Sequence, residues 1–320
     1  MTPNGRPAVR FRDGSGGEAF LPVPERVQNT REFAANGRIK HVMAAVLNGL
    51  EGGPDTAVAL DYVHWLAARP IAGGAAYVDL NVDEIDPDVE GRVVAMEWLV
   101  RAVGPVSSVP LSLDSSDSAV LLTGLANYDA RWSGGAAPLI NSASLERPDV
   151  LDMAVQRGSP VVLSSTGAVM PNGTEERMER AIQIIGMAQE RGLPLRDLHI
   201  DPLVIPIGVD AEAGMAYLNA VRQLRERYGP ELHITGGVSN VSFGMPARRL
   251  ISDVFLDLCV QAGQDSGIVD PVAADMAAAL APDRDSETYR LAADLLTGVD
   301  LFGVDFLDAF RSGRLSEPAA

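Results

Sequence analysis

The sequence predicts an α/β fold, a closed (β/α)8 TIM barrel, on three observations. Short apolar stretches without strict polar alternation are each followed by a helical stretch, which is the pattern of parallel strands buried on both faces. The pairs recur about eight times across 320 residues with no linker to divide them, and eight such units close into a barrel of roughly 250 residues. Five of the strands finish on Asp or Asn: VDLN at Val78 to Asn81, LSLDS at Leu111 to Ser115, LINS at Leu139 to Ser142, HIDPL at His199 to Leu203, and GGVSNVS at Gly236 to Ser242. In a barrel, strand C-termini line the active mouth and the opposite end serves stability.

Taken in order, residues 1 to about 18 are Gly-rich and polar without a period, and read as a loose tail ahead of a single domain over 19–315. Strand one is FLPVPERV near Phe20 to Val27, weakened by two prolines. Helices follow across Lys40 to Leu50 and Thr56 to Ala68. Strand two is AAYVDLN and its helix DVEGRVVAMEWLVRAV carries apolar Val93, Met96 and Val100 at helical spacing. Strand three (VPLSLDS) precedes SAVLLTGLANY, and strand four (APLINS) precedes DVLDMAVQRG. Strand five (PVVLSST) leads to a long helix expected to start on a Thr174 cap and end at Gly192. Strand six (DLHIDPL) and strand seven (LHITGGVS) have clear helices after them. Strand eight is SGIVDP at Ser266 to Pro271, helices run on to Phe310, and the final SEPAA is expected to fray.

Composition narrows the function classes. Apolar residues make up 47% and aromatics only 5%, so the core is aliphatic. The net charge of -17 repels nucleic acid and anionic lipid, and no basic patch with interleaved aromatics appears. The single cysteine, Cys259, excludes an intrachain disulfide, fits a reducing cytoplasm, and lies in an apolar helix as an inert core thiol. No apolar stretch is long enough for a membrane span.

The candidates at the strand ends are Asp79, Asn81, Asp114, Asn141, Ser165, Asp201, Asn240 and Asp270. Any one alone reads equally well as a helix cap or Asx turn, and Asp270, before a proline and a helix, is the most cap-like. Ser115, Ser142 and Ser242 read as caps or supporting donors. Repetition is what capping does not explain, because several carboxylates converging on one mouth imply a ligand rich in hydrogen-bonding groups. His41, His64, His199 and His233 lack metal-type spacing. Lys40 is the only lysine and does not end a strand, which argues against imine and pyridoxal chemistry. No P-loop is present, and a Mg2+ site of carboxylates stays open.

The set AYVDLNV, MEWLV, SLDS, PLINSAS-x-E, HIDPLVIP and GGVSNVSFGMPAR, in order from about Glu25 to Pro271, resembles methyltetrahydrofolate:corrinoid methyltransferases of the pterin-binding barrel superfamily. The resemblance implies that Asp114, Asn141 and Asp201 hydrogen-bond the pterin, that Asp79, Asn81, Ser239 and Glu25 line its pocket, and that Asn240 sits by N5. It further implies tetrahydrofolate or 5-methyltetrahydrofolate as substrate, a corrinoid (cobalamin) carried by a partner protein in trans, no protein-bound metal, and a homodimer. The direction of transfer is not set by the sequence. Departures occur at the family's G-E-R-I-N segment, here Pro24 to Gln28, at Glu84 and Asp86 after DLNV, and at Phe243 and Gly244. The alternatives are a dihydropteroate synthase-like enzyme, disfavoured by the lack of lysines, a Mg-dependent barrel lyase using Asp79, Asp114 and Asp201, and a noncatalytic pterin binder.

Overall fold

The computed structural model describes residues 5–272 and 275–315. The first four residues of the expected tail, and the 316–320 stretch expected to fray, lie outside the described residues. The chain forms two compact units, 1–141 and 142–320.

The first unit opens with an antiparallel hairpin, β1 (Ala8–Arg12) and β2 (Glu18–Pro22). Part of the stretch expected to be a loose tail is therefore a strand. Its polar, Gly-rich composition hides one apolar anchor: Phe11 is buried and packs edge-on to Tyr62 at 5.1 Å between ring centroids. The expected first barrel strand is corrected as well. Pro22 and Pro24 end the extended run, and Glu25–Gln28 turns into a short helix, α1. After α2 (Arg31–Asn36) come α3 (His41–Glu51) and α4 (Asp55–Ala72), which runs one turn past the expected end at Ala68 with Pro70 inside it.

Three parallel strands then alternate with helices: β3 (Val78–Asn81), α5 (Val89–Val103), β4 (Leu111–Asp114), α6 (Ser118–Asn127) and β5 (Leu139–Ala143), whose first three residues close this unit. The register decides what each face carries. Leu80, Leu113 and Ile140 are paired in one row, and Asn81, Asp114 and Asn141 in the next. Paired residues in parallel strands share a face, and neighbours along a strand do not. Leu113 meets α6 at Gly124, where an added Cβ would lie 3.0 Å from its methyl carbon. The leucine row thus faces the helices, and the polar row faces away from them. Burying each such Leu or Ile contributes about 1.5–3 kcal/mol, which holds the register that aligns the polar row.

The second unit runs α7 (Asp149–Arg157), β6 (Val161–Ser164), α8 (Gly173–Glu190), β7 (Leu198–Asp201), α9 (Ala213–Tyr228), β8 (His233–Ile234) and α10 (Arg248–Ala262). It ends with α11 (Met276–Leu280), α12 (Glu287–Thr297) and α13 (Val304–Arg311). Strands β6, β7 and β8 are parallel, with Ser164 paired to Asp201 and His199 to His233. The expected eighth strand is not a strand. Its segment still follows β8, since Ser266 N–H donates to the Ile234 carbonyl (3.2 Å) and Ile268 N–H to that of Gly236 (2.9 Å). Those bonds have parallel-ladder spacing, but β8 is only two residues long and Pro271 stops the run.

Candidate active site

In the first unit the strand-end residues form one hydrogen-bonded cluster. Asn81 Nδ2 donates to Asp114 Oδ2 at 2.8 Å. One pleat lower, the Asp79 carboxyl is hydrogen-bonded by Ser112, Asn141 and Asp114. Asp79 and Asn81 keep solvent-exposed edges, Asp114 is half-buried and Asn141 is 9% exposed. Asp79 retains an open edge while protein surrounds most of it, the situation of a group on the floor of a concavity. Loss of solvation there pushes its pKa up, against those hydrogen bonds. Burial, and next the charge of Asp79, push Asp114 up to about 7. Asp114 thus resists ionising beside a charged Asp79. The cluster can therefore both accept and donate hydrogen bonds.

Sequence reasoning passed over Asp83 and named Glu84 and Asp86 instead. Asp83 accepts from Ser115 Oγ (2.6 Å) and from the Ser116 N–H (2.8 Å), tying the loop after β3 to the loop after β4. Burial opposes its ionisation, but those hydrogen bonds win and hold its pKa below the usual carboxylate range. The signal was present in D-L-N-V-D, where Asp79, Asn81 and Asp83 recur at period two. Asp86 instead pairs with Arg26 at 2.7 Å, and Glu84 with Lys40 at 3.2 Å. Glu25 is exposed at the start of α1 and makes no side-chain hydrogen bond to the cluster among the described residues.

In the second unit, Asp201 ends β7 and accepts from the Leu203 N–H at 2.8 Å. Burial pushes its carboxyl up to about 6 despite that bond and the positive Arg177. Ser165 is buried, and its N–H donates to the Asp201 carbonyl at 2.9 Å. Ser239 and Asn240 lie in a 3-10 turn, Val238–Ser242, directly after β8. The preceding glycines lie close to side chains. A Cβ on Gly237 would lie 2.7 Å from Asn240 Nδ2, and one on Gly236 would lie 2.5 Å from the Tyr217 hydroxyl. Asn240 is half-buried and makes no side-chain hydrogen bond among the described residues, so its amide is available to a ligand.

The remaining candidates have structural duties. Asp270 Oδ1 accepts from Val272 N–H in an Asx turn; the cap of α11 is Asp275. Thr174 does not cap α8, whose N-cap is Asn172; its hydroxyl donates to the Ala216 carbonyl. Ser142 accepts from Arg147, and Ser242 donates to the Ser239 carbonyl. The Phe243 ring lies under the Arg248 guanidinium at 4.4 Å. Cys259 is fully buried, and burial pushes its thiol up, away from the reactive thiolate. Among the described residues no group of His, Cys, Asp and Glu is arranged to hold a metal ion, and no helix is long and apolar enough to cross a membrane.

Residues 56–270 match the pterin binding enzyme family. The chain is 30% identical to a methylcorrinoid:tetrahydrofolate methyltransferase of Eubacterium limosum over 248 residues, 76% of this chain and 84% of that relative. It is 30% identical over 240 residues to a methionine synthase of Mycobacterium tuberculosis, 69% of this chain but 19% of that larger protein. Among solved structures it is similar to dihydropteroate synthase from Stenotrophomonas maltophilia, with TM-score 0.55 and 20% identity over 71% of this chain and 86% of that one. That structural likeness shows the fold: the α/β, (β/α)8 TIM barrel of the pterin-binding type.

Proposed function

We propose that this chain, which belongs to the pterin-binding enzyme family, moves a methyl group between N5 of tetrahydrofolate and the cobalt of a corrinoid carried by a separate protein. The observation that carries the reading is the Asn81–Asp114–Asn141 row with Asp79 beneath it. An aminopyrimidinone edge presents N–H donors beside a carbonyl acceptor, and a row of amide, acid and amide offers the complementary set. In this reading, by family resemblance, the pterin-binding residues are Asp79, Asn81, Asp114, Asn141, Asp201 and Ser239, with Glu25 a peripheral member. The names of the relatives, one acting on tetrahydrofolate and a methylcorrinoid and one a methionine synthase, support the same substrates. They favour methylcorrinoid as donor and tetrahydrofolate as acceptor. A domain over 19–315, a cytoplasmic setting and a homodimer belong to the same proposal.

The chemistry assigns Asn240. As the N5–methyl bond breaks or forms, charge changes on N5. An amide N–H held there acts on charge present in the transition state more than in the ground state, so it raises the rate more than the affinity. Gly237 leaves room for that amide to lie close to the backbone turn. The corrinoid cobalt supplies the nucleophile or the methyl donor when the partner is bound. No step needs a lysine, and Lys40 is committed to ion pairs with Glu32 (3.4 Å) and Glu84 (3.2 Å), which disfavours the dihydropteroate synthase alternative.

The test is to mix the protein with 5-methyltetrahydrofolate and Co(I) cobalamin and follow the methylcobalamin spectrum. Methylcobalamin is expected to appear in proportion to enzyme. Asn240→Ala is expected to slow transfer by about 100-fold with little change in folate affinity. Folate binding with no transfer to any cobalamin would leave a noncatalytic binder, and a strict Mg2+ requirement would point to the lyase; either result sinks the proposal.

A further inference from the structure

The chain after Asp201 contains a strained turn. Leu203 has φ of 71°, the left-handed region that a branched side chain rarely adopts. The turn returns the Leu203 N–H to Asp201 Oδ1 (2.8 Å) and directs the Leu203 carbonyl toward Arg177 Nε (3.4 Å). Arg177 is only 1% exposed and lies in the first turns of α8, where its Nη1 donates to the Gly173 carbonyl at 2.6 Å. Among the described residues its hydrogen-bond partners are both backbone carbonyls, and its buried Nη2 has none. A buried guanidinium without a paired carboxylate is costly, and an apolar side chain of similar volume would pack there at lower cost. Something other than packing accounts for it. Nη2 has essentially no accessible surface, so it does not reach a ligand. What Arg177 does reach is the turn that aims Asp201.

We propose that Arg177 is a positioning residue for Asp201: it holds the strained Leu203 turn from the neighbouring helix α8, and through it fixes the carboxylate that receives the pterin. The proposal rests on the assignment of Asp201 to pterin binding. The ionisable groups around Arg177 are Asp210, Tyr217, Asp201 and Glu176, so its charge also favours the ionised form of Asp201. Substitution therefore has two separable effects. Arg177→Met removes both the charge and the clamp; Arg177→Lys keeps the charge and removes the planar fork.

The experiment titrates tetrahydrofolate into wild type, R177M, R177K, D201N and the R177M/D201N double variant from pH 5 to 9. R177M is expected to bind about tenfold more weakly at pH 8 and to move the pH midpoint of binding upward. R177K is expected to lose affinity by about fivefold with the midpoint unchanged. The double variant is expected to bind no worse than D201N alone, because the clamp matters only through Asp201. Wild-type affinity and midpoint in R177M overturn the proposal, as do additive losses in the double variant, which mark a merely structural arginine. If R177M does not fold, R177K decides: reduced affinity at an unchanged midpoint supports the proposal, and wild-type affinity overturns it. Failure of the wild type itself to bind tetrahydrofolate sinks the functional reading and this inference together, whereas unaffected variants of a binding wild type sink only the inference.

Discussion

Asp114 shows how one side chain carries opposite demands. It is hydrogen-bonded by Asn81, faces Asp79, and has its pKa pushed up to about 7 by burial and by that neighbour. A carboxyl whose folded pKa is raised contributes stability that is full below its unfolded pKa, near 3.8, and is lost as pH rises through about 7. Asp114→Asn is neutral at every pH. Relative to wild type it is expected to raise Tm at pH 8 by about 2–4 °C, with the gain vanishing near pH 4, as thermal melts at the two pH values would record. The same variant is expected to bind tetrahydrofolate about 10–100-fold more weakly at pH 8, read by titration, because an N–H2 then faces the ring's own donors. A variant both less stable at pH 8 and unaffected in binding contradicts both assignments. If both expectations hold, the site is tuned for its ligand at the expense of the empty fold.

Two elements behave in ways their residues alone do not disclose. The Val238–Ser242 turn follows Gly236 and Gly237, and the Asn240 amide lies within 2.7 Å of where a Gly237 Cβ would stand. Gly237→Ala is expected to displace Asn240 and slow methyl transfer by at least about tenfold while folate affinity changes little, a split visible in kcat against KM. Equal loss in both would mean that the turn, not the amide, matters. The second element is the β7–β8 pair, where His199 stacks on His233 at 4.7 Å. Burial, and next His233, hold His199 down to about 4. A histidine kept neutral in the fold contributes stability present above its ordinary pKa, 6.5, and lost as pH falls toward about 4. His199→Phe is therefore expected to lose less Tm than wild type between pH 7 and pH 4, and an equal loss would place the acid sensitivity elsewhere. Protonation of Asp114 and Asp201 works in the opposite sense over this range, which is why the comparison is made between variants.

At the scale of the whole molecule, the match to pterin binding enzymes over residues 56–270 extends through both units, whereas the hairpin before it lies outside. If the reaction is transfer to cobalt, stripping divalent cations with EDTA is expected to leave the rate of methylcobalamin formation unchanged. A loss restored by Mg2+ would revive the lyase alternative.

Period and end chemistry were legible in the sequence because they are local. The alternation of short apolar runs with helical stretches, and the carboxylate or amide at the end of each run, survive any arrangement of the chain. They were enough to indicate the barrel and to nominate Asp79, Asn81, Asp114, Asn141 and Asp201. What only the tertiary structure decided was everything set by distance between segments far apart in sequence. Register put Asn81 on Asp114 and Asp79 beneath them, which joined separate acids into one hydrogen-bonded cluster. Prolines and one buried Phe11 made a hairpin of what read as a tail and a barrel strand. An arginine in a helix otherwise read only for its caps came to lie under the turn that follows Asp201. The physical reason is that pKa, strain and close approach depend on neighbours, and neighbours 30 to 60 residues away are supplied by packing.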